Sequence, residues 1–249
     1  MKTKTIFAVA ALAVFVVGVL PATAAYFTDD FESGMGNWAR WPEADETLQA
    51  STSHARSGSW SAWQVSADPW GYASYAAFGS VADYLYAEVW VYEDFNENGQ
   101  NPSKPCTNML ALVGDNGTGT PDWSADYLQL GVVPWFPLGS MGYGFRTSYN
   151  DSHGLGFGNA GVMRKAGWTS LAIEVFPTSA GGAVKFYIDG ALVGNSQRTG
   201  APLKWVRIGN NFKSYEHFWY DDVSIVPEPG SLLALAAGVP ALALFRRRR

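Results

Sequence analysis

The sequence predicts an all-β protein, an antiparallel β-sandwich, lying between two apolar end segments. Short segments alternate apolar and polar side chains, as half-buried strands do. Glycine-rich turns separate these segments, and the chain holds 27 glycines in 249 residues. No long stretch repeats apolar residues at helical spacing. The roughly 200 residues between the ends are enough for one hydrophobic core, which predicts a single domain at 26–226.

The clearest strand pattern lies at 84–92, where aliphatic residues fill one face and mostly aromatic residues fill the other. Segments 169–175 and 183–189 also alternate, and a glycine-rich turn joins them. The dipeptide Asp189-Gly190 predicts a tight hairpin after the second of these. Further strands are predicted at 109–113, 127–133, 142–147, 191–193, 206–209 and 219–226.

The first 25 residues are predicted to be a secretory signal peptide. Lys2 and Lys4 precede an uncharged apolar stretch at 6–20, and Ala22-Thr23-Ala24 supplies the small residues of a cleavage site. A permanent N-terminal anchor is the alternative, and the small residues at its end favour cleavage instead.

The last 23 residues, 227–249, have three distinct parts. Pro227-Glu228-Pro229 cannot continue a strand, because proline has no amide hydrogen to donate. An uncharged apolar segment follows at 232–245, and as a helix it spans roughly 21 Å, which is short of the ~30 Å hydrocarbon core of a bilayer. The chain closes with Arg246, Arg247, Arg248 and Arg249, which the positive-inside rule keeps on the cytoplasmic side. These features predict a short, transient membrane helix; a buried terminal helix is the alternative, in which the arginines have no use.

These three parts, in this order, resemble the PEP-CTERM sorting signal of bacterial exported proteins. The resemblance implies cleavage near the Pro-Glu-Pro by a membrane enzyme, exosortase, after passage through the export machinery. It also implies release to, or attachment at, the cell surface or extracellular matrix, often in bacteria that make extracellular polysaccharide. The signal concerns destination and says little about activity.

Three stretches of the middle domain carry a second resemblance. Trp168, with the aliphatic residues after it, and segment 184–193 resemble the strand–turn–strand of concanavalin A-like (laminin G-like) jelly rolls. Segment 219–225 resembles their closing strand, and segment 27–34 resembles the opening strand of such modules. The resemblance implies a jelly-roll sandwich and, in several such modules, a structural calcium ion near the chain ends. The fold alone leaves function open, because it hosts lectins, hydrolases and inert spacers.

The middle domain is acidic. Removing Lys2, Lys4 and the four terminal arginines from 17 basic residues, and Glu228 from 22 acidic ones, leaves a net charge of about −10. Such a surface argues against nucleic acid or anionic lipid as a partner and suits cations or neutral ligands. The single cysteine, Cys106, cannot form an intramolecular disulfide; it is expected to be a buried or loop thiol, with a nucleophile as the weaker alternative.

A calcium site is predicted where the chain ends of the domain meet. Asp30 and Asp222 are the first candidates and Glu32 the third, because first and last strands often pair and carboxylate oxygens suit Ca²⁺. Asp221 and Asp222 are expected to point to opposite faces of the strand, so that only one of them joins the site. The alternative is that these acids are solvated or cap the backbone.

No catalytic motif supports an enzyme. Retaining glycosidases need two carboxylates on one face, whereas Glu88 and Glu93 fall on opposite faces of their predicted strand. The sequence contains no G-x-S-x-G nucleophile motif, and its histidines, His54, His153 and His217, are not in zinc spacing. Each histidine is expected to be a surface or hydrogen-bonded residue.

Aromatic residues are the positive signal for binding. The chain has 11 tryptophans, and tryptophan is seldom fully buried. Sugar rings stack on such side chains, and loop positions are the expected ones. The candidates are Trp70, Tyr72, Trp123 and Trp135. The alternative is that they pack between loops over the ends of the sandwich.

The sequence therefore predicts an exported, non-catalytic protein that binds polysaccharide. The first alternative is a structural or adhesive module that binds protein or a copy of itself. The second is a polysaccharide hydrolase or lyase with a non-standard site.

Overall fold

Buried and exposed side chains alternate along many of the strands in the computed structural model, and the described residues include fifteen strands. The structure describes residues 25–65, 71–94, 107–115, 117–121, 127–132, 142–147, 158–198, 200, 202–210 and 217–227. The strands are β1 (Phe27–Asp29), β2 (Ala39–Arg40), β3 (Gln49–Ser51), β4 (Ser61–Gln64), β5 (Ala73–Val81), β6 (Leu85–Glu93), β7 (Thr107–Gly114), β8 (Tyr127–Val132), β9 (Gly142–Thr147), β10 (Gly158–Met163), β11 (Gly167–Val175), β12 (Ala183–Ile188), β13 (Ala191–Gln197), β14 (Leu203–Gly209) and β15 (Phe218–Val226). Among the described residues there is no α-helix, and one 3₁₀ turn covers Thr178–Ala180.

The strands form two antiparallel sheets. Sheet A has the order β13-β12-β11-β6-β15-β4-β3, with β1 also paired to β15. Sheet B has the order β10-β9-β8-β7-β14-β5-β2. The first and last strands of the domain pair, with Phe27 opposite Ile225, as the sequence predicted.

The core lies between the two sheets. Its main cluster is built from alternate residues of each strand, such as Val89 and Val91 of β6, Leu171 and Ile173 of β11, and Val206 of β14. Packing apolar side chains between two sheets is what allows each strand to keep its opposite, outer face for other contacts. A smaller cluster lies on the outer face of sheet B, where segment 41–44 packs through Trp41 against Trp205 and Tyr127.

The ion pair between Arg164 and Glu93 is fully buried. The Arg164 Nε lies 2.6 Å from the Glu93 Oε2, and neither side chain is more than 1% exposed. The Tyr143 hydroxyl donates a hydrogen bond to the other Glu93 oxygen over 2.7 Å. Burial, followed by the Glu93 charge, raises the Tyr143 pKa well above 10, so this hydroxyl stays protonated at any physiological pH.

Most strand predictions are confirmed. The strands expected at 84–92, 169–175 and 219–226 are β6, β11 and β15, and the expected hairpin turn has Asp189 at φ 49° and Gly190 at φ 74°. Positive φ at both central residues is the geometry that such two-residue hairpins require. Strands β2 to β5 and β10 had no predicted counterpart.

The two predicted targeting segments lie outside the described residues, apart from Ala25 and Pro227. Strand β15 ends at Val226, directly before Pro227, as expected for a residue without an amide hydrogen. Among the residues the structure describes, none belongs to a helix of a length and hydropathy suited to crossing a bilayer.

Candidate functional site

The outer face of sheet A carries the half-exposed aromatic side chains. In β6, residues Leu85 to Glu93 alternate between fully buried and half-buried. The aliphatic side chains enter the core, whereas Tyr86, Glu88, Trp90 and Tyr92 face outward. The two-faced strand predicted from the sequence is confirmed, and Glu88 and Glu93 do lie on opposite faces.

Four aromatic residues form a row across four neighbouring strands, here called the aromatic row: Trp168 of β11, Tyr92 of β6, Trp219 of β15 and Trp63 of β4. Each is directly opposite the next in strand register. The ring centroids are 5.3 Å apart from Trp168 to Tyr92, 5.9 Å from Tyr92 to Trp219, and 6.3 Å from Trp219 to Trp63. These distances are those of direct aromatic contact, so the rings form a continuous row, in which Trp63, Tyr92 and Trp168 are half-buried and Trp219 is only 2% exposed.

Two histidines pack onto the aromatic row. The His54 ring stacks on Tyr92 at 4.1 Å and meets Trp219 edge-on at 4.4 Å. The His217 ring stacks on Trp63 at 5.7 Å. Both histidines are half-buried aromatic neighbours, while His153 lies outside the described residues.

Two indole N–H groups of the aromatic row lack an acceptor. The Trp63 and Trp219 rings are nearly parallel, with 10° between their planes. The Nε1 atoms of both are buried and have no hydrogen-bond partner in the described part of the chain. A buried donor without an acceptor costs about 1–3 kcal/mol, so a ligand oxygen that reaches either atom after the side chains over it move recovers part of that cost.

A cavity of about 560 Å³, here called the acidic cleft, opens on the same face beside Trp90. It lies where β1, β6 and β15 run side by side. Its lining residues are Thr28, Asp29, Asp30, Ser33, Asn37, Arg56, Glu88, Trp90, Asp222, Val223 and Ser224. Carboxylates, hydroxyls, an amide and an indole are groups that accept from and donate to sugar hydroxyls.

Among the described residues that line the cleft, Arg56 is the cation beside the carboxylates. The Arg56 guanidinium lies 3.7 Å from the Trp90 ring centroid and forms an ion pair with Asp222. The Ser57 hydroxyl donates to the other Asp222 oxygen over 2.7 Å. Burial raises the pKa of Glu88, and a hydrogen bond from Ser170 and the charge of Arg56 partly oppose that rise. The cleft is net negative, which suits neutral or cationic groups.

The predicted calcium ligands are only partly brought together. Asp30 and Asp222 both line the acidic cleft, whereas Glu32 turns away and accepts the backbone N–H groups of Ser59 and Trp60 at 2.6 and 2.7 Å. Ca²⁺ takes 6–8 oxygen ligands, and Asp222 is already engaged by Arg56. No group of three or more His, Cys, Asp or Glu in the described ranges is arranged to hold a metal ion. The calcium site stays a prediction.

The expectation that Asp221 and Asp222 point to opposite faces was wrong. A register shift interrupts β15 between Asp221 and Ser224, and Asp222 has a φ of 47°. The Asp221 carboxylate accepts the backbone N–H groups of Arg56 and Ser57, so both acids contact the same segment. A bulge breaks the alternation of a strand, which sequence spacing alone does not reveal.

The loop aromatics predicted to bind sugar remain predictions. Trp70, Trp123 and Trp135 lie outside the described residues. Tyr72 is half-buried, and its carbonyl accepts the Asn210 N–H at 2.8 Å beside sheet B, so it does not join the aromatic row. The row itself consists of strand residues, which the prediction of loop aromatics missed. The sequence feature that could have indicated it is the run of aromatics at alternate places in β6, which contributes Tyr92.

No protein-family model matches the chain, and no curated protein matches its sequence. Solved structures do match its fold. An alginate lyase from Aplysia kurodai is 12% identical with a TM-score of 0.55, and the match covers 82% of this chain and 99% of the lyase. The carbohydrate recognition domain of Emp47p is 12% identical with a TM-score of 0.50, and the match covers 84% of this chain and 99% of that one. A Bacillus licheniformis β-glucanase is 15% identical with a TM-score of 0.51, and the match covers 81% of this chain and 98% of the glucanase. This likeness confirms the concanavalin A-like jelly-roll sandwich and, at such identities, shows the fold alone.

Proposed function

We propose that this chain is an exported, non-catalytic polysaccharide-binding protein, and that its binding surface is the outer face of sheet A. The observation that carries the proposal is the aromatic row with its two indole donors lacking acceptors. A sugar ring presents C–H groups that stack on aromatic faces, and its oxygens accept the indole N–H groups. The neighbouring acidic cleft adds acceptors for sugar hydroxyls.

The fold supports this proposal without deciding it. Structures of the same fold include a carbohydrate recognition domain, an alginate lyase and a β-glucanase. Polysaccharide is therefore a ligand class that this sandwich accommodates, with or without catalysis. The absence of catalysis is our proposal, and it rests on Glu88 and Glu93 lying on opposite faces of sheet A.

Binding is tested with a glycan array and isothermal titration of the purified protein. Trp168→Ala removes the half-exposed end of the aromatic row, and Trp63→Phe removes an indole N–H while keeping a ring. We expect each to weaken glycan binding about tenfold or more, as loss of an interface aromatic does. Trp60→Ala is the matched control, because Trp60 is 41% exposed yet belongs neither to the row nor to the cleft lining. Equal loss in the control, or no glycan bound at all, contradicts the proposal.

Catalysis is tested on the same samples. Release of reducing ends or of unsaturated products from any bound polysaccharide would establish a hydrolase or lyase instead. We expect none.

We further propose that 227–249 is a sorting signal processed by exosortase, with a transient membrane stage and delivery to the cell surface or matrix. The support is the order Pro-Glu-Pro, apolar segment and arginines, together with the end of β15 directly before Pro227. Mass analysis of the mature C-terminus tests this. Recovery of an intact C-terminus on surface-exposed protein excludes the processing step.

A second candidate function, self-association, is favoured by the edges of the two sheets. Strand β13 is one edge of sheet A and β10 is one edge of sheet B, and neither contains a charged residue. Leu192 and Met163 on these strands are 54% and 57% exposed. Uncharged edge strands are templates for strand pairing. Light scattering that shows a dimer in the wild type and a monomer in Leu192→Lys supports this function.

A further inference from the structure

The acidic cleft holds a cation that belongs to the chain itself. The Arg56 guanidinium lies 3.7 Å from the ring centroid of Trp90 and pairs with one oxygen of Asp222. A cation over the face of an indole is attracted to the ring, and a carboxylate beside it adds to that attraction. The Arg56 side chain is nevertheless 36% exposed, so this arrangement is open to solvent. The cleft therefore stabilises a positive group at a place that a ligand can reach.

Arg56 does not balance the negative charge of the cleft. The described lining residues include one guanidinium and four carboxylates, which are Asp29, Asp30, Glu88 and Asp222, so their net charge when ionised is 1 − 4 = −3. Burial raises the pKa of Glu88, and the Asp222 charge raises it further, although Arg56 opposes the rise. The ionised Glu88 is thus incompletely compensated, and a second cation beside it would supply the missing compensation.

The size and lining of the cleft suit an organic ammonium group better than a metal ion. Its volume of about 560 Å³ lies within the range of small-molecule sites, roughly 300–1,000 Å³, and accommodates a sugar ring. An ammonium group has only three N–H donors to satisfy, and Glu88 lies in the cavity with the hydroxyls of Thr28 and Ser224. Ca²⁺ needs 6–8 oxygen ligands, whereas no three acids or histidines of the described ranges are grouped to hold a metal.

The cleft adjoins the aromatic row along β6. Trp90 of the cleft and Tyr92 of the row are alternate residues on the outer face of this strand, which places them roughly 7 Å apart. One segment covers both rings, since His54 stacks on Tyr92 and Arg56 lies over Trp90. A polymer that binds the row therefore reaches the cleft without leaving sheet A. This continuity favours a polysaccharide over a peptide as the carrier of the ammonium group.

We infer that the acidic cleft binds the protonated amino group of an amino-sugar unit, so that the ligand of sheet A is a cationic polysaccharide. Glu88 accepts N–H groups of the ammonium, and Asp30 and Asp222 add to the negative potential of the cleft. Arg56 is a neighbouring like charge and weakens this binding. The inference rests on the proposed function for the stacking of sugar rings, and it adds the charge of the ligand.

The test is isothermal titration of the full chain with three β-1,4-linked hexamers, of glucosamine, of N-acetylglucosamine and of glucose. The three share one linkage and differ in the group on the second carbon, and only the first is cationic in mildly acidic buffer. A chelator in the buffer excludes a metal bridge. We expect the glucosamine hexamer to bind about tenfold or more tightly than the glucose hexamer, as a charged hydrogen bond implies. This ratio of affinities is here called the amine selectivity.

Two variants in the cleft are expected to change the amine selectivity in opposite directions. Glu88→Gln removes the acceptor and should abolish most of the selectivity, whereas Arg56→Gln removes a like charge and should raise it about threefold. A defect in folding does not produce this opposite pair. Glu174→Gln is the matched control, because Glu174 is also a partly buried acid of sheet A but does not line the cleft. We expect it to keep the selectivity within about twofold of the wild type.

The outcomes separate the cleft from the aromatic row. Trp168→Ala should weaken all three hexamers alike and keep the amine selectivity. Binding of the glucosamine hexamer that depends on Glu88 but not on Trp168 supports the cleft and refutes the row. Equal affinity for the three hexamers, or an equal loss of selectivity in Glu174→Gln, overturns the inference. A lower selectivity in Arg56→Gln overturns its electrostatic cause, and competition by poly-lysine as strong as that by the glucosamine hexamer overturns the sugar class.

Discussion

The buried pair of Glu93 and Arg164 yields a prediction that tests the packing between the sheets. Arg164→Met removes the cation and keeps most of the side-chain volume. It leaves the Glu93 carboxylate, which is fully buried, without the guanidinium now 2.6 Å away. Removing one partner of a buried pair costs about 3–5 kcal/mol, because the remaining desolvated charge has lost its counter-charge. At about 2–4 °C per kcal/mol for a domain of this size, the melting temperature falls by roughly 10 °C.

The assay is urea and thermal unfolding followed by circular dichroism. The double variant Glu93→Leu with Arg164→Met removes both charges and is expected to recover most of the loss, since an apolar pair in place of a buried ion pair is often neutral. Tyr143→Phe, which removes the 2.7 Å hydrogen bond to Glu93, is expected to cost about 1–3 kcal/mol. The reasoning is refuted if Arg164→Met costs under about 1 kcal/mol or if the double variant is as unstable as the single one.

Three further predictions concern charge on sheet A. Burial raises the pKa of Glu88, so the folded state binds the Glu88 proton more tightly than the unfolded state does. The ionised carboxylate therefore lowers stability at neutral pH. Glu88→Gln should raise the melting temperature at pH 7, and this gain should vanish as the pH falls below the ordinary glutamate pKa of 4.5. Burial alone would raise the pKa of Glu174, but hydrogen bonds from Tyr187 and Tyr84 and the charge of Lys185 lower it below the ordinary value of 4.5. The ionised Glu174 therefore stabilises the fold above pH 4.5, and this stabilisation is lost as the pH falls through the folded-state pKa. Glu174→Gln should be less stable than the wild type at pH 7 and nearly as stable as the wild type in acid. Either pH trend reversed in a melting series would contradict the stated cause. If calcium binds at Asp30 and Asp222, a chelator lowers the melting temperature and Asp222→Asn abolishes that shift; an unchanged melting temperature removes the calcium prediction.

Local sequence patterns were reliable where one strand alone carries the information. Strand β6 alternates aliphatic and larger side chains, and the Asp189–Gly190 turn needs only two residues to set its geometry. Strand β5 was missed because its buried positions are mostly alanine and serine, which carry little hydrophobic signal. The bulge at Asp222 was missed because it depends on how β15 meets its neighbours.

The sequence by itself determined that the chain forms an all-β sandwich, that its middle is acidic, and that its ends resemble targeting signals. Only the tertiary structure decided which side chains meet. Trp63 and Trp168 are more than a hundred residues apart, yet strand register places both in one aromatic row. Arg146 and Arg207 likewise converge on Tyr127 only once four strands of sheet B are aligned. The physical reason is that alternation assigns each residue to a face within its own strand, whereas the pairing of distant strands assigns it its neighbours.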